Sequence, residues 1–438
     1  MPDEPAAPRP DPSTSRECGR LAIVRRSFRH RNYRLFFAGQ LVSLIGTWMQ
    51  TVAQAWLVYR LTGSPALLGL VTFASQLPIL LLAPVGGVIA DRYSRHRILL
   101  ATQAAAMALA AVLAVLTLTD RVAVWEVFVL AGLLGAVNAF DISARQAFVV
   151  EMVGREDLPN AIALNSSMFN GARLIGPAVA GLLVAALGEG WCFALNAGSF
   201  LAVLAALLAM RLPARRTQRP PGKMFAQIVE GMSYVARTRP IRSLLLLLGL
   251  SSLTGMSYTV LMPIFADRIL GGGPQTLGTL MSAAGFGALL AALSLAARPA
   301  LRGIVPWIAN GTLGFGVCLM LFSCSTNFWL SAVLLVGVGY TMMIQMASTN
   351  TLVQAMVPDA YRGRVMACYS MMFMGMAPLG ALLAGFVAEH AGAPAAVALG
   401  GAACTVGALL FRRGLPALRV EARTLVHAQA ALPVIPDQ

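Results

Sequence analysis

The sequence is poor in charge, and this shortage alone narrows its class. Of its 438 residues, 12% are charged and 58% are hydrophobic, and the mean hydropathy is +0.72. A soluble chain of this length exposes far more charge, so the composition excludes a soluble globular protein. The ten-residue segments of alternating polarity that build membrane β-barrels do not occur in the sequence. Long apolar runs satisfy their own backbone in lipid only as helices, and the sequence therefore predicts a polytopic helical membrane protein.

Other shortages exclude further classes of protein. No G-x-x-x-x-G-K-[ST] loop occurs, so we expect no ATP site. The four histidines are scattered and no acidic cluster occurs, which argues against an intramembrane enzyme. The six cysteines lie almost wholly in or beside apolar segments without a C-x-x-C pair, so neither a disulfide framework nor a metal site is expected. The chain is thus predicted not to be an enzyme and to need no cofactor or metal.

Twelve apolar segments are long enough to cross a bilayer, which takes about 20 residues. We number them spans 1 to 12 in chain order. They cover roughly residues 34–59, 66–90, 98–118, 124–146, 163–187, 190–210, 241–263, 275–297, 304–324, 328–355, 364–388 and 393–411. The first 30 residues lack an apolar stretch, so we expect no cleavable signal peptide, and span 1 would itself direct insertion.

The basic residues behind the net charge of +15 are unevenly distributed among the loops. Apart from a single lysine, Lys223, the basic residues are arginines, and they concentrate in alternate loops and in both tails. This is the positive-inside pattern, which predicts that both termini are cytoplasmic and that the basic loops face anionic lipid. Because the charge follows the loops in this way, we expect no nucleic-acid binding.

A linker divides the chain into two halves of similar length. We predict a disordered basic tail over 1–30, six-helix bundles over 31–211 and 241–412, a linker with an amphipathic helix over 212–240, and a cytoplasmic tail over 413–438. The turn after span 1 reads RLTGSPALLG, and the turn after span 7 reads RILGGGPQTLG. This repeat predicts a parallel duplication with a pathway at the midplane between the halves.

Several motifs resemble one family of transporters. The loop between spans 2 and 3 has the pattern G-x-x-x-D-R-x-x-R-x-R, which resembles the loop between helices 2 and 3 of the major facilitator superfamily. Other stretches resemble the branch that includes the enterobactin exporter, namely FRHRNYRLF from Phe28, WMQ from Trp48, AWLV from Ala55, DISARQ from Asp141, LPNA from Leu158 and VPDAYRGR from Val357. The resemblance covers about residues 28–412 and departs from the pattern at Ser94, at His96 and in the loop from Arg298 to Arg302, which lacks the aspartate.

The resemblance implies an all-α membrane protein with twelve helices in two pseudo-symmetric six-helix bundles. It implies alternating access by a monomer in the bacterial cytoplasmic (inner) membrane. The implied function is secondary export of a small organic molecule (a siderophore, drug or other metabolite) in exchange for protons. An importer or a lysophospholipid flippase of the same superfamily is the alternative. A channel, or a sensor related to transporters, fits the duplication less well.

The loop between spans 2 and 3 is the first candidate site. Gly87, Asp91, Arg92, Arg95 and Arg97 form a dense charged turn between two spans. The carboxylate and the arginines could hold two helices together in one state and release them in another, and the family pattern favours this latch. The alternative is a loop that only sets the topology.

Ionisable residues inside spans are the second candidate, because charge in lipid is costly and usually functional. Asp141 and Arg145 are four residues apart on span 4 and share a face. Asp141 could carry a proton or could be the fixed partner of Arg145 or of the Arg95 loop. Arg173, in the middle of span 5, could contact substrate or take part in coupling, or it could pair with Asp141.

A polar stripe on span 1 indicates a cavity. Its five polar residues recur at steps of three and four from Gln40 to Gln54 and extend over about 21 Å of one helix face. The alternative is interhelical hydrogen bonding. The predicted substrate cavity comprises Gln50, Gln54, Asn138, Ser166, Asn170, Arg173, Thr254, Tyr258, Gln345 and Thr349. The predicted helix-packing residues are Gly176, Pro177, Gly181 and Pro378.

Overall fold

The computed structural model describes residues 26–154, 156–211, 224–297 and 304–430, and these residues form helices and turns without a strand. It confirms the all-α class and the twelve spans. Their bounds are Arg31–Thr62, Pro65–Arg92, Arg95–Leu118, Val124–Val153, Leu158–Leu187, Glu189–Leu208, Arg239–Ile269, Gly273–Leu295, Ile304–Ser323, Phe328–Met356, Tyr361–Ala391 and Ala393–Arg413. Most spans are longer at their ends than the hydropathy pattern predicts, because the helices continue into polar sequence beyond the apolar run.

Consecutive spans run in opposite directions, and short turns join most of them, whereas spans 6 and 7 are separated by the linker and its helix. Glycines with positive φ make several of these turns, at Gly63 (61°), Gly188 (88°) and Gly392 (87°), where a side chain would strain the backbone. The end of the bundle that carries the loop between spans 2 and 3 is called the basic end below. The end at which span 1 turns into span 2 is called the opposite end.

Two spans are not regular α-helices. Span 7 contains π-helical turns at Ser251–Gly255 and Phe265–Ile269. Span 11 consists of the helices Asp359–Met374 and Met376–Ala391, which meet at Gly375. Pro378 has no N–H with which to bond the carbonyl of Met374, and its ring crowds that carbonyl, so the break at Gly375 follows from the sequence.

The buried side chains show how the two halves meet. The largest apolar cluster contains residues of both halves and lies toward the opposite end, with Trp56, Phe193, Phe265 and Phe322 among its members. Toward the basic end the core divides into two separate clusters. One is formed by the first half alone and includes Phe148, and the other by the second half alone and includes tyrosine and leucine side chains of spans 7, 10 and 11. The halves are therefore packed together at one end and separate at the other.

Two further helices pack on the second half at the basic end. The linker helix, Met224–Arg237, is held to span 11 by the ring stack of Tyr234 on Tyr361 and by the ion pair of Glu230 with Arg364, at 2.6 Å. The C-terminal helix, Leu415–Ala430, lies in the predicted tail. The part of the linker over residues 212–223, residues 1–25 of the predicted N-terminal tail and residues 431–438 lie outside the described residues.

Candidate functional site

The halves approach most closely at two pairs of glycines near the opposite end. Span 2 meets span 11 at Gly69 and Gly385, where a Cβ built on Gly69 would lie 3.2 Å from the Cα of Gly385. Span 5 meets span 8 at Gly181 and Gly278, where a Cβ on Gly278 would lie 2.8 Å from the Cα of Gly181 and would overlap a backbone carbonyl. Real Cβ contacts are longer than this, so the absence of side chains is what allows these backbones to touch.

Polar contacts also join the halves at the opposite end, beyond these glycines. Tyr59 donates its hydroxyl proton to the Asp267 carboxylate at 2.6 Å, and Arg268 donates to the carbonyl of Gly63 at 3.1 Å. Glu389, at the end of span 11, accepts from the hydroxyl of Ser64 at 2.8 Å and from the backbone N–H of Ala66 at 3.1 Å. Glu389 thus caps the first turn of span 2 from the other half of the molecule. These contacts close the opposite end.

Arg173 lies at the middle of the molecule, where contact between the halves stops. Its guanidinium carbon is 5.8 Å from the centroid of the Trp48 ring, and the guanidinium interacts with the hydroxyl of Tyr258, across the interface. One residue further on, the carbonyl of Leu174 accepts from Ser282 of span 8 at 2.8 Å. The structure therefore brings together two residues of the predicted cavity, Arg173 and Tyr258. It adds Trp48, whose ring the polar pattern could not identify.

The space between the halves widens from this level toward the basic end. Among the described residues, every hydrogen bond between the halves lies at mid-span or nearer the opposite end. A Cβ on Gly87 of span 2 or on Gly171 of span 5 would meet nothing within 4 Å. Ser166, nearer the basic end of span 5, is exposed, and Asn138 is half-buried; Gln54 is also half-buried but lies on the other side of the mid-level, toward the closed end. The interior is therefore accessible from the basic end.

Several predicted cavity residues are engaged inside one half. Gln50 is buried and accepts a 2.6 Å hydrogen bond from Asn196 of span 6. Gln345 donates to Ser251 across spans 10 and 7 at 2.8 Å. Thr349 is buried, Asn170 donates to the carbonyl of Ser166, and Thr254 lies 3.5 Å from the sulfur of Cys404. In this conformation Gln50, Gln345 and Thr254 contact neighbouring helices, which is the alternative that the polar stripe left open, whereas the bond of Asn170 lies within span 5.

Asp141 is the centre of a buried polar cluster in the first half. Its side chain is 3% exposed and pairs with Arg145, one turn along span 4. The other carboxylate oxygen accepts from Thr102 at 3.0 Å and from Gln103 at 2.8 Å, both on span 3. The carbonyl oxygen of Gln103 is buried and has no partner among the described residues. The spacing of Asp141 and Arg145 indicated this ion pair as one alternative, but nothing in a single sequence places Thr102 and Gln103 of span 3 opposite Asp141.

The loop between spans 2 and 3 is tied to span 4. Arg95 donates to the carboxylate of Glu151 at 2.9 Å and to the carbonyl of Ala147 at 3.0 Å, and it lies 3.4 Å from Asp91. Arg92 and Arg97 are exposed. His96, where the family pattern differs, bonds the carbonyl of Leu207 at the end of span 6 at 2.8 Å. Each of these contacts lies within the first half.

The predicted packing residues of spans 5 and 11 are all buried or at close helix contacts. A Cβ on Gly176 would lie 3.0 Å from the carbonyl oxygen of Ile45, so this glycine allows spans 1 and 5 to touch. Gly181 forms the contact with span 8 described above. Pro177 and Pro378 are buried.

A second polar cluster lies at the basic end, between the segment before span 1 and the start of span 5. Asp157 is 3.2 Å from Arg26 and 2.9 Å from His30, and the buried Ser27 donates to its backbone carbonyl. The hydrogen bond from His30 and the charge of Arg26 lower the pKa of Asp157 below its ordinary value of 3.8, against a smaller opposing effect of burial.

The lowered pKa of Asp157 sets a pH dependence for this anchor. A carboxylate with a depressed folded-state pKa stabilises the folded contact above its ordinary pKa, and this contribution is lost as the pH falls through the folded value. We expect the segment around Arg26 to be protected from proteolysis at neutral pH and to become cleavable below about pH 4. In Asp157→Asn the cleavage should be equally fast at both pH values. A pH-independent cleavage rate in the parent protein would contradict the anchor.

Comparison with known protein families agrees with this architecture. The family model described as "Transmembrane secretion effector" matches residues 25–433. The chain is 27% identical over 369 residues to the staphyloferrin A transporter of Staphylococcus aureus, with 81% of this chain and 89% of that protein covered. It is 29% identical to the multidrug efflux pump Tap of Mycolicibacterium fortuitum (79% and 87% covered), and 26% identical to the enterobactin exporter EntS of Shigella boydii (87% and 91% covered).

Solved structures of transporters share the fold at low sequence identity. A bacterial homologue of the human lysosomal transporter Spinster, in an inward-facing and unoccupied conformation, superposes with a TM-score of 0.68 at 15% identity, covering 91% of this chain and 98% of that one. The nucleoside transporter NupG superposes with a TM-score of 0.62 at 16% identity, covering 87% and 98%.

Proposed function

Because this chain belongs to the transmembrane secretion effector family of the major facilitator superfamily, we propose that it exports a small organic molecule across the bacterial cytoplasmic membrane by alternating access, in exchange for protons. The observation that carries the proposal is the divided core. One apolar cluster joins both halves at the opposite end, and two separate clusters fill the basic end. Two rigid bundles that touch at one end only are what a rocking mechanism requires.

The charge distribution supports an orientation for this state. Arginine-rich loops are retained on the cytoplasmic side, so the basic end would face the cytoplasm. The conformation would then be inward-facing, with the glycine pairs and the polar contacts of Glu389 and Asp267 closing the external side. Export would begin with a substrate that enters this open cavity from the cytoplasm.

Arg173 is the residue we propose as the main substrate contact. It is half-buried at the level where the cavity ends, beside the Trp48 ring and the Tyr258 hydroxyl. A guanidinium next to an aromatic face suits an anionic or catechol-like molecule, which can accept hydrogen bonds and stack at the same time. The relatives named as staphyloferrin A transporter and enterobactin exporter support a siderophore, and the relative named as a multidrug pump supports a broader range.

The roles of the other charged residues follow from their contacts. Asp91 is half-exposed and has Arg95 beside it, which leaves the carboxylate free to bind the second half when the basic end closes. We therefore propose Gly87, Asp91, Arg92, Arg95 and Arg97 as the latch of the alternate state. Asp141 is enclosed by three donors, which supports a fixed ion pair with Arg145 over a proton carrier in this state.

Proton exchange can be tested in acidified inside-out vesicles. We would add catecholate siderophores, macrolides or lipophilic cations and follow the luminal pH. We expect one class to raise the luminal pH, because export into the lumen would release protons from it. Arg173→Gln should reduce this signal at least about tenfold, since losing one charged hydrogen bond costs about 1.5–3 kcal/mol. Arg121→Gln changes an exposed arginine at the opposite end and should leave it unchanged.

Three outcomes would each contradict one part of the proposal. Substrate uptake with no pH change would argue against proton exchange while leaving export intact. Uptake into right-side-out vesicles with no uptake into inside-out vesicles would favour the importer or the flippase. Equal losses in the Arg173 and Arg121 variants would remove Arg173 from the substrate site.

A further inference from the structure

A groove on the outer surface of the first half has no role in the proposed transport cycle. It has a volume of about 590 Å³ and lies between span 1 and span 6 at the basic end. Its walls are Leu35, Ala38 and Gly39 of span 1 and four alanines at the end of span 6. Because Gly39 and alanines have little or no side chain, the two helices leave a channel between them where larger residues would fill it. The lining on span 1 runs from Arg31 to Gly39, which is about 12 Å of helix.

The groove opens on the lipid-facing side of the protein. Ala38 and Ala205 in its walls are exposed. Beside it on the same surface are Val42 at 50%, Leu201 at 57% and Leu208 at 71% exposure. Apolar side chains this exposed on a membrane span face acyl chains. A molecule that occupies this groove in the membrane must therefore be apolar over most of the groove's length.

The mouth of the groove carries two positive charges. Arg31 and Arg34 line it and are exposed, and neither has an acidic partner among the described residues. The nearby acid, Asp157, is engaged by Arg26 and His30. Two guanidinium groups one helical turn apart can each bond a different oxygen of one phosphate.

The polypeptide fixes the geometry of this mouth. The side-chain amide of Asn32 donates to the carbonyl of Arg211 at 2.9 Å, and the N–H of Arg211 donates back to Asn32 at 3.3 Å. This reciprocal pair joins the start of span 1 to Arg211, which lies shortly after the end of span 6 at Leu208. It keeps the two walls at a constant separation at the level of the membrane surface, so the groove does not depend on a flexible loop.

We propose that the groove is a binding site for an anionic phospholipid, with the phosphate on Arg31 and Arg34 and one acyl chain along the alanine wall. The apolar length selects a lipid and the unpaired arginines select negative charge, as basic pockets between spans do at the surface of a membrane. The groove lies away from the proposed transport pathway, because its walls are spans 1 and 6 of the first half and span 6 packs on spans 1, 3 and 5.

Binding can be measured on the purified full-length protein by native mass spectrometry. The probes are phosphatidylglycerol, phosphatidylcholine with the same acyl chains, and water-soluble glycerol phosphate. Replacing both arginines, Arg31→Gln with Arg34→Gln, should lower the affinity for the most tightly bound phosphatidylglycerol molecule about 30-fold. The affinity for phosphatidylcholine should stay nearly unchanged. Arg31→Lys with Arg34→Lys keeps the charge and should retain most of the affinity. Ala205→Phe fills the groove without changing charge and should weaken phosphatidylglycerol about tenfold.

A matched control lies at the end of span 12. Arg412 and Arg413 are also exposed at the basic end but do not line this groove, so replacing both by glutamine should change the affinity by less than about twofold. An equal loss in this control would reduce the site to general attraction by basic loops and overturn the proposal. Three further results would overturn the proposal. Glycerol phosphate could compete as effectively as the lipid, or Ala205→Phe could keep full affinity for phosphatidylglycerol. The third is a dimer that Ala205→Phe dissociates, because a second copy of the chain would then fill the groove.

Discussion

Gly278→Val is expected to abolish transport and to leave the opposite end unable to close. A Cβ at this position would lie 2.8 Å from the Cα of Gly181 and would overlap the carbonyl of Pro177, both of them backbone atoms that cannot move aside. Spans 5 and 8 would have to separate. Because the two halves share one apolar core at this end, the separation would disfavour the whole conformation described here. We expect transport to fall at least about 100-fold, as full exclusion of one state of a two-state cycle implies.

The conformational effect can be measured by crosslinking. Ser64 and Glu389 contact each other at 2.8 Å when the opposite end is closed, so cysteines at these positions should crosslink in the parent background with its native cysteines replaced. In Gly278→Val the crosslink should be lost. Gly198→Val is the matched control, since it adds the same side chain to a span where a Cβ meets nothing within 4 Å. A crosslink of parental yield in Gly278→Val would contradict the role of the glycine contact.

Asp141→Ala should produce the largest loss of stability in the first half. It would leave Arg145 without its anion and the amide donor of Gln103 without its acceptor, while the Thr102 hydroxyl could still donate to the carbonyl of Leu99. Removing one partner of a buried ion pair typically costs 3–5 kcal/mol, and because Arg145 is 27% exposed we expect about 3 kcal/mol. Thermal unfolding in detergent, followed by circular dichroism, would measure the change.

A double-mutant cycle separates pairing from other effects of the substitution. Asp141→Ala with Arg145→Ala removes both charges, so its cost should be smaller than the sum of the single costs by about 2 kcal/mol. The exposed pair of Asp359 and Arg362 is the control, with side chains 85% and 51% exposed, and its coupling should stay below about 1 kcal/mol. Additive costs at Asp141 and Arg145 would mean that they do not act as a pair. In that case the proton-carrier alternative would regain weight.

The fold was predictable because a membrane imposes one strong local rule. Each span needs about 20 apolar residues and satisfies its own backbone, so hydropathy alone locates it. All twelve predicted spans occur, and the break of span 11 follows from Pro378 and Gly375. Only the ends differ, for example in span 4, where the helix continues to Val153 although the apolar pattern ends at residue 146. Helix ends depend on polar contacts made after folding.

The partners of individual polar side chains were less predictable. Gln50 and Gln54 belong to one stripe of span 1, yet Gln50 bonds Asn196 of span 6 while Gln54 is half-buried. The stripe is wide enough to face both a neighbouring helix and the cavity, and the angle between spans decides which residue goes where. For the same reason the hydrogen bonds from Thr102 and Gln103 to Asp141 could not be predicted, since nothing along the chain places span 3 against Asp141.

The sequence by itself determined the class of protein, the number of its spans, the division into two halves and the family resemblance. These properties depend on local composition and on motifs within one segment, so they can be inferred without knowing any tertiary contact. Only the tertiary structure decided that Arg173 meets Trp48 and Tyr258, that glycines of spans 2, 5, 8 and 11 touch across the halves, and that a groove lies behind span 1. These features depend on how helices distant in sequence are rotated and packed against one another. In lipid, that packing is set by small differences in van der Waals contact and hydrogen bonding rather than by hydropathy.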